Sequence, residues 1–215
     1  MRLLIYSDVH GNLPAFESVL KDAGNCDGYI CLGDLVNYGP WSNECVDLAF
    51  SLPNSIFIKG NHENAFINGF YPGNNQLVQK FFLKTFPKFD RIEIISGFLN
   101  KYVLGKFTCT HTIQNRNIYP DSELSLDRNY IIGHSHHQFK VENNSYVLYN
   151  SGSVGQNRCY INVANYLIYE TETNIIDMRY SCFNLKFLLN KMEDLGYPKE
   201  CIQYYEKKQS YIESI

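Results

Sequence analysis

The chain has 215 residues, 45% of them hydrophobic and 19% charged, so it can bury a sizeable core without disulfides or a structural metal. Its formal net charge of -3, with no run of Lys or Arg, argues against general nucleic-acid binding, because counterion release needs a basic face. No stretch approaches the roughly 18 uninterrupted apolar residues of a membrane span, and Asp8 and His10 break the apolar start before a signal-peptide core is complete.

Leu3-Leu4-Ile5-Tyr6 reads as a buried strand that runs into Asp8-Val9-His10-Gly11-Asn12. Pro14, a favoured first-turn residue, opens a helix to about Lys21, and Gly24 stops it. Tyr29-Ile30-Cys31-Leu32 is the second strand and delivers Gly33-Asp34. Pro40 opens a helix through Cys45 and Leu48, and Ser55-Ile56-Phe57-Ile58 is a third strand delivering Gly60-Asn61-His62-Glu63. After a helical stretch from Gln76 to Phe86 the pattern changes to antiparallel strands. Gly105-Lys106 joins Lys101–Leu104 to Phe107–Thr110, which delivers His111. Tyr130-Ile131-Ile132 delivers Gly133-His134-Ser135-His136, and further hairpin turns fall at Asn143-Asn144 and Thr171 to Asn174. Helices around Leu185–Leu195 and Glu200–Gln209 close the chain, separated by Gly196 and Pro198. No composition shift marks a seam, so a single domain is expected over residues 1–215. Seven scattered cysteines without a C-x-x-C pair fit a reducing cytoplasm, as small buried residues.

This is α/β patterning, in which ligand sites collect in the loops beyond strand ends. All six histidines fall in or beside such loops. Asp8 and His10 are two apart, so at an extended strand end both side chains point to one side, and His134 and His136 repeat the spacing. A carboxylate with imidazoles suits a divalent ion such as Mn, Fe, Zn, Co or Ni and disfavours calcium. Asp8, His10, Asp34, Asn61, His111, His134 and His136 are too many ligands for one tetrahedral ion. They suit two ions sharing a carboxylate, with Asp34 the natural bridge. Two divalent ions against Asp8 and Asp34 leave a net positive site, which selects an anionic substrate such as a phosphate group.

In this order the motifs resemble those of the calcineurin-like metallophosphoesterases: Asp8-x-His10, Gly33-Asp34, Gly60-Asn61-His62-Glu63, His111 and Gly133-His134-Ser135-His136. The segments 6–14, 33–40 and 152–156, and the C-terminal helical region from Phe183, are similar to a small phosphodiesterase-like branch. The resemblance implies a four-layer α/β sandwich, two mixed β-sheets flanked by helices, with the C-terminal helices of about 183–210 packed on it. It implies one metal on Asp8, His10, Asp34 and His136, and another on Asp34, Asn61, His111 and His134, with manganese favoured. His62 is then free of metal and faces the substrate, and His137 has no assigned role. Three departures stand out: Thr112-Ile113-Gln114 after His111, and Ser151 and Asn157 where Pro is common.

The implied reaction is in-line attack on phosphorus by a hydroxide bridging the two metals. His62 protonates the leaving oxygen or stabilises its charge, and Asp8 helps to fix the His62 tautomer. The expected substrate is a phosphate-ester small molecule or nucleotide-like compound, with phosphodiesterase favoured over phosphomonoesterase or phosphoprotein phosphatase. Tyr38, Trp41, Phe70, Tyr71 and Tyr119 are candidates to stack on a base, though packing is the more ordinary role for each. A metal-binding interaction scaffold is the non-enzyme alternative; the presence of His62, which a purely structural site does not need, favours catalysis.

Overall fold

A computed structural model describes residues 1–143 and 145–212, so Asn144 of the expected turn at 143–144 lies outside the described residues. The elements run β1 (Arg2–Tyr6), α1 (Leu13–Ala23), β2 (Gly28–Cys31), α2 (Ser42–Ser51), β3 (Ser55–Phe57), α3 (Asn61–Asn68), α4 (Gln76–Thr85) and α5 (Ile92–Ser96). They continue with β4 (Lys101–Leu104), β5 (Phe107–Thr110), β6 (Asn129–Ile132), β7 (Gln138–Asn143), β8 (Tyr146–Ser151), β9 (Val163–Glu170), β10 (Ile175–Cys182), α6 (Leu185–Asp194) and α7 (Lys199–Glu206).

Alternation in β1 sets the layering. Leu3 and Ile5 point to one face, Leu4 and Tyr6 to the other, and all four are buried. A strand apolar on both faces has to be covered on both. It sits centrally in a five-stranded sheet ordered β10-β9-β1-β2-β3, parallel to β2 and antiparallel to β9. Leu4 and Tyr6 join Phe16, Val46, Phe66, Phe81, Ile95, Leu188 and Tyr205 in a core to which each of α1 to α7 contributes. Leu3 and Ile5 meet Phe107, Cys109 and Ile131 of a second sheet. Two mixed five-stranded sheets with flanking helices are therefore present, as expected, and Leu188 and Met192 of α6 and Cys201 and Tyr205 of α7 lie in the first core. Among the described residues no helix is long and apolar enough to cross a membrane.

The second sheet, ordered β4-β5-β6-β8-β7, corrects the expected antiparallel run. Hairpins do join β4 to β5 and β7 to β8, but β5, β6 and β8 run parallel. The connection after β5 is long enough for a crossover. It also packs Ile118, with Ile113, Leu124 and Leu126, against Ile132, Phe139 and Leu148 on the outer face.

Two helices are absent from the sequence reading. α3 starts on the Gly60-Asn61-His62-Glu63 motif itself, because Glu63 reaches back to accept the Gly60 N–H at 2.8 Å, half of a capping box. α5 has only five residues, too few to show a period. The helix near Pro40 begins two residues later, at Ser42.

The segment at 152–155 is clamped onto the loop after β1: Val154 and Gly155 donate to the Ser7 and Asp8 carbonyls at 3.0 and 2.9 Å. A Cβ on Gly155 would lie 1.9 Å from the Val9 carbonyl oxygen. Gly155→Ala should therefore cost at least the upper end of the usual ~1–3 kcal/mol for overpacking. Gly69→Ala, at a left-handed helix cap with φ 76°, adds a Cβ only in ordinary contact, 3.7 Å from Phe86, and bears chiefly the left-handed penalty of roughly 1–2 kcal/mol. Urea denaturation of both variants checks this, and equal losses would contradict the clamp.

Candidate metal centre

Five strands of the two sheets end at one edge, and their following loops meet there. β1 leads to Asp8 and His10, β2 to Asp34, β3 to Asn61 and His62 at the start of α3, β5 to His111, and β6 to His134 and His136. The loops are zipped together through their backbones: Asp8 N donates to Gly33 O at 2.9 Å, His10 N to Asp34 O at 3.0 Å and Gly133 N to His111 O at 3.1 Å.

The expected extended geometry at Asp8-x-His10 and His134-x-His136 is not what the backbone does. Asp8, His10, Asp34, His134 and His136 all have left-handed φ between 51° and 69°. The side chains share a face because alternate residues are bent the same way. Such conformations are uncommon for non-glycine residues and gather at functional sites.

His10, His111 and His136 each turn Nδ1 to a backbone carbonyl, of Val36 (3.2 Å), Leu32 (2.8 Å) and Gln156 (3.0 Å). A carbonyl only accepts, so Nδ1 carries the proton and Nε2 of a neutral ring presents a lone pair. The Nε2 atoms of His10 and His136 then face each other at 3.1 Å. Asp8 Oδ1, fully buried and without a hydrogen bond, lies 3.1 Å from His136 Nε2 and 3.7 Å from His10 Nε2. On the other side His111 Nε2 meets Asp34 Oδ2 at 3.2 Å, Asn61 Oδ1 at 3.1 Å and His134 Nδ1 at 3.0 Å. Acceptors converging with no donor between them fit cation binding. All seven residues expected as ligands are thus gathered, in one group around Asp8, His10 and His136 and another around Asp34, His111 and His134. His10, Asp34 and His62 form a third overlapping group.

The charges tell the same story. Burial would raise the Asp8 and Asp34 carboxyls, but His136 and His10 beside Asp8, and His111 and His62 beside Asp34, hold both well below the usual carboxylate range. Burial also opposes charge on the imidazoles and pushes His136 down to about 4 and His62 to about 3. His111 alone goes the other way: against its own burial, Asp34, Asp8 and Glu63 lift it to about 10. A proton on His111 is therefore favoured, on the Nε2 that faces Asp34 Oδ2.

Sequence reasoning missed the residues that hold this set. Glu63 is fully buried, and its carboxylate accepts the Asp34, Leu35 and Gly60 N–H groups at 2.7, 2.7 and 2.8 Å. Asn37 takes the position expected of Asp8: its Nδ2 donates to His62 Nδ1 at 2.9 Å, while Asp8 Oδ2 accepts from Ser7 Oγ and His134 N. His62 N donates to Asp34 Oδ1 at 2.8 Å. Of the aromatic candidates, Tyr38 packs on His10 and His62 and Tyr71 stacks 5.9 Å from His62. Trp41 stacks instead on Phe187, Phe70 is exposed, and Tyr119 meets His137, which stands outside the gathered set. The departures are absorbed locally. Asn157 caps its own turn by accepting the Cys159 and Tyr160 N–H groups, and Ser151 bonds Ser7.

Residues 1–168 match the family profile of the calcineurin-like phosphoesterases. The chain belongs to that family. It is similar to a metallophosphoesterase of Sphaerobacter thermophilus, at 25% identity and a TM-score of 0.80 over 96% of this chain and 98% of that one. A hypothetical protein of Pyrococcus horikoshii OT3 shares the fold at 14% identity and a TM-score of 0.78, over 95% and 97% of the two chains. An uncharacterized protein of Methanocaldococcus jannaschii is 27% identical over 201 residues, 78% of this chain and 82% of its own. A family of phosphoester hydrolases and the cluster of His and Asp side chains agree on divalent-metal binding.

Two expectations follow. Glu63→Gln puts an amide N–H against backbone N–H donors and should weaken metal binding about 10–100-fold, the usual cost of losing an outer support; equilibrium dialysis with unchanged affinity would refute that role. His111 is protonated below about pH 10 in the metal-free protein, so a cation bound there must displace its proton. Apparent affinity should rise as pH increases toward 10, with proton release seen by calorimetry in buffers of different ionisation enthalpy. Uptake at pH 7 without proton release would remove His111 from the ligand set.

Proposed function

We propose that the protein is a dinuclear metal-dependent phosphoesterase acting on a phosphodiester. The observation that supports it is a chain of three overlapping groups, Asp8-His10-His136, His10-Asp34-His62 and Asp34-His111-His134, in which His10 and Asp34 link the outer two and His62 lies between them. Asp8, His10, Asp34 and His136 would hold one ion and Asp34, Asn61, His111 and His134 the other. Imidazole, carboxylate and amide donors suit manganese, with Fe, Zn, Co or Ni as alternatives. When bound, such ions polarise phosphoryl oxygens and lower the pKa of water toward neutrality.

The chain's own contribution is placement. Asp34 would bridge the two ions, and the Nδ1 contacts of His10, His111 and His136 keep three ring nitrogens aimed at the centre. The Tyr38 N–H, which can only donate, faces Asn37 Oδ1 at 2.8 Å. The Asn37 amide N–H therefore points at His62 Nδ1, and the His62 proton is on Nε2. From there His62 donates a hydrogen bond to the leaving oxygen as charge develops on it. The preference for diesters rests on the likeness of segments 6–14, 33–40 and 152–156 to the phosphodiesterase-like branch.

The test is a screen of the manganese-loaded protein on nitrophenyl diesters, nitrophenyl monoesters and phosphopeptides, with metal content measured on the same preparation. Two bound ions and fastest turnover of a diester support the proposal; full activity with at most one ion, or in excess chelator, overturns it. His62→Asn should lower kcat on an alkyl ester by about 10²–10³-fold, the cost of one donor to developing charge. The same variant should lose much less on a nitrophenyl ester, whose leaving group needs little help. Equal losses on the two would assign His62 to the phosphoryl oxygens instead.

A further inference from the structure

Four arginines of the chain, Arg2, Arg91, Arg128 and Arg179, each meet a carboxylate. Arg116, Arg158 and most lysines, Lys208 among them, have no ion-pair partner among the described residues, but Arg158 and Lys208 lie together on one side chain. Both rest on Tyr204. Arg158 Nη1 donates to its hydroxyl at 2.5 Å, and Lys208 Nζ lies 4.6 Å from its ring centroid. Burial and the Arg158 charge pull the Lys208 ammonium down to about 8, so the two cations stand together against their own repulsion.

This pair adjoins the metal centre by two routes. Gln156, whose backbone carbonyl holds His136 Nδ1 at 3.0 Å, accepts the Tyr204 hydroxyl on its side chain at 3.0 Å. The Tyr204 ring lies 6.3 Å from that of Tyr38, which in turn packs 4.7 Å from His10. The Arg158 charge is felt at His136, His137 and Tyr38. Two cations without a carboxylate, one of them exposed and one half-buried, at the rim of a site that takes phosphate, make a place for a second anion.

We infer that Arg158 and Lys208 form a second anion site beside the metal centre, which holds a further phosphate group of the same substrate. The inference rests on the phosphoesterase reading and narrows it to substrates with a second phosphate some bonds away from the ester that is cleaved. Two adjacent cations match the roughly two negative charges of a phosphate monoester at neutral pH better than the single charge of a carboxylate.

The experiment compares alkanediol bisphosphates of two, four and six carbons with the matching alkyl monophosphates as inhibitors of hydrolysis of whichever nitrophenyl ester, diester or monoester, the manganese-loaded protein turns over fastest. For at least one spacer the bisphosphate should bind about tenfold or more tighter, the scale of one charge-assisted contact to a phosphate. That ratio should fall toward one in Arg158→Gln/Lys208→Gln and survive in large part in Arg158→Lys, which keeps the charge. An alkyl phosphate ending in a carboxylate should gain less than the bisphosphate; an equal gain would make the site a general anion site and overturn the phosphate assignment. Equal inhibition by mono- and bisphosphates at every spacer, or a ratio unchanged in the double variant, overturns the site. If the protein hydrolyses no phosphate ester, the phosphoesterase reading fails, and calorimetric titration of the same ligand pairs still reads the ratio.

Discussion

The constraint on which the rest depends is the meeting of buried acceptors with no donor between them. Three imidazoles have their protons held on Nδ1 by the carbonyls of Leu32 and Val36 in the loop after β2 and of Gln156 in the loop after β8. Their Nε2 lone pairs, with Asp8 Oδ1, Asp34 Oδ2 and Asn61 Oδ1, are thereby committed to the same small volume. Leaving such groups unpaired away from water is costly. A cation relieves all of them at once, and the proton favoured on His111 relieves only one side.

The backbone shows what that arrangement requires. Asp8, His10, Asp34, Asn37, Tyr38, His134 and His136 all occupy the left-handed region, each at a cost of order 1–2 kcal/mol for a residue with a side chain. No single loop would hold these conformations alone. They persist because each strained residue is tied to a neighbouring loop, as His10 N is to Asp34 O and Gly39 N to His10 O at 2.8 Å. The loops themselves are anchored by strands buried on both faces. Glu63 extends the same logic by gathering three N–H groups around Asp34 from a helix start. The two apolar cores and the strained polar edge are therefore parts of one device, in which rigid sheets offset local strain.

Residue types and spacing made the core strands and the gathered residues legible. Leu3-Leu4-Ile5-Tyr6 is apolar on both faces, and Asp, His and Asn after Gly or at strand ends have few reasons to recur except at a shared edge. What stayed hidden depends on contacts far apart in the chain. Asn37 reads as one more polar loop residue until His62 is beside it, and Arg158 and Lys208, fifty positions apart, show nothing until Tyr204 joins them. α3 was masked because its first turn is the motif itself, so the chemistry of Gly60-Asn61-His62-Glu63 concealed a capping pattern. The parallel order of β5, β6 and β8 is a matter of crossover, which alternation in single strands does not encode. The spacing argument at Asp8 and His10 reached the right side through the wrong backbone, since period two in a strand and a repeated left-handed bend both return alternate side chains to one face.

The partner of His62 changes what that residue can contribute. A carboxylate at Nδ1 would favour the imidazolium and make a proton donor of the ordinary acid kind. Asn37 has no charge, and the Tyr38 N–H fixes its amide so that an N–H, not an oxygen, faces the ring. That contact disfavours a proton on Nδ1 and so disfavours the doubly protonated form. In the proposed reaction, His62 then acts as a neutral donor whose hydrogen bond strengthens as negative charge grows on the leaving oxygen, and full proton transfer waits on water. Such a donor suits leaving groups of intermediate basicity, such as the hydroxyl of a phosphorylated sugar, better than simple alkoxides. The same class of compound carries additional phosphate within reach of a basic rim, so the neutral donor and the cations on Tyr204 select in the same direction.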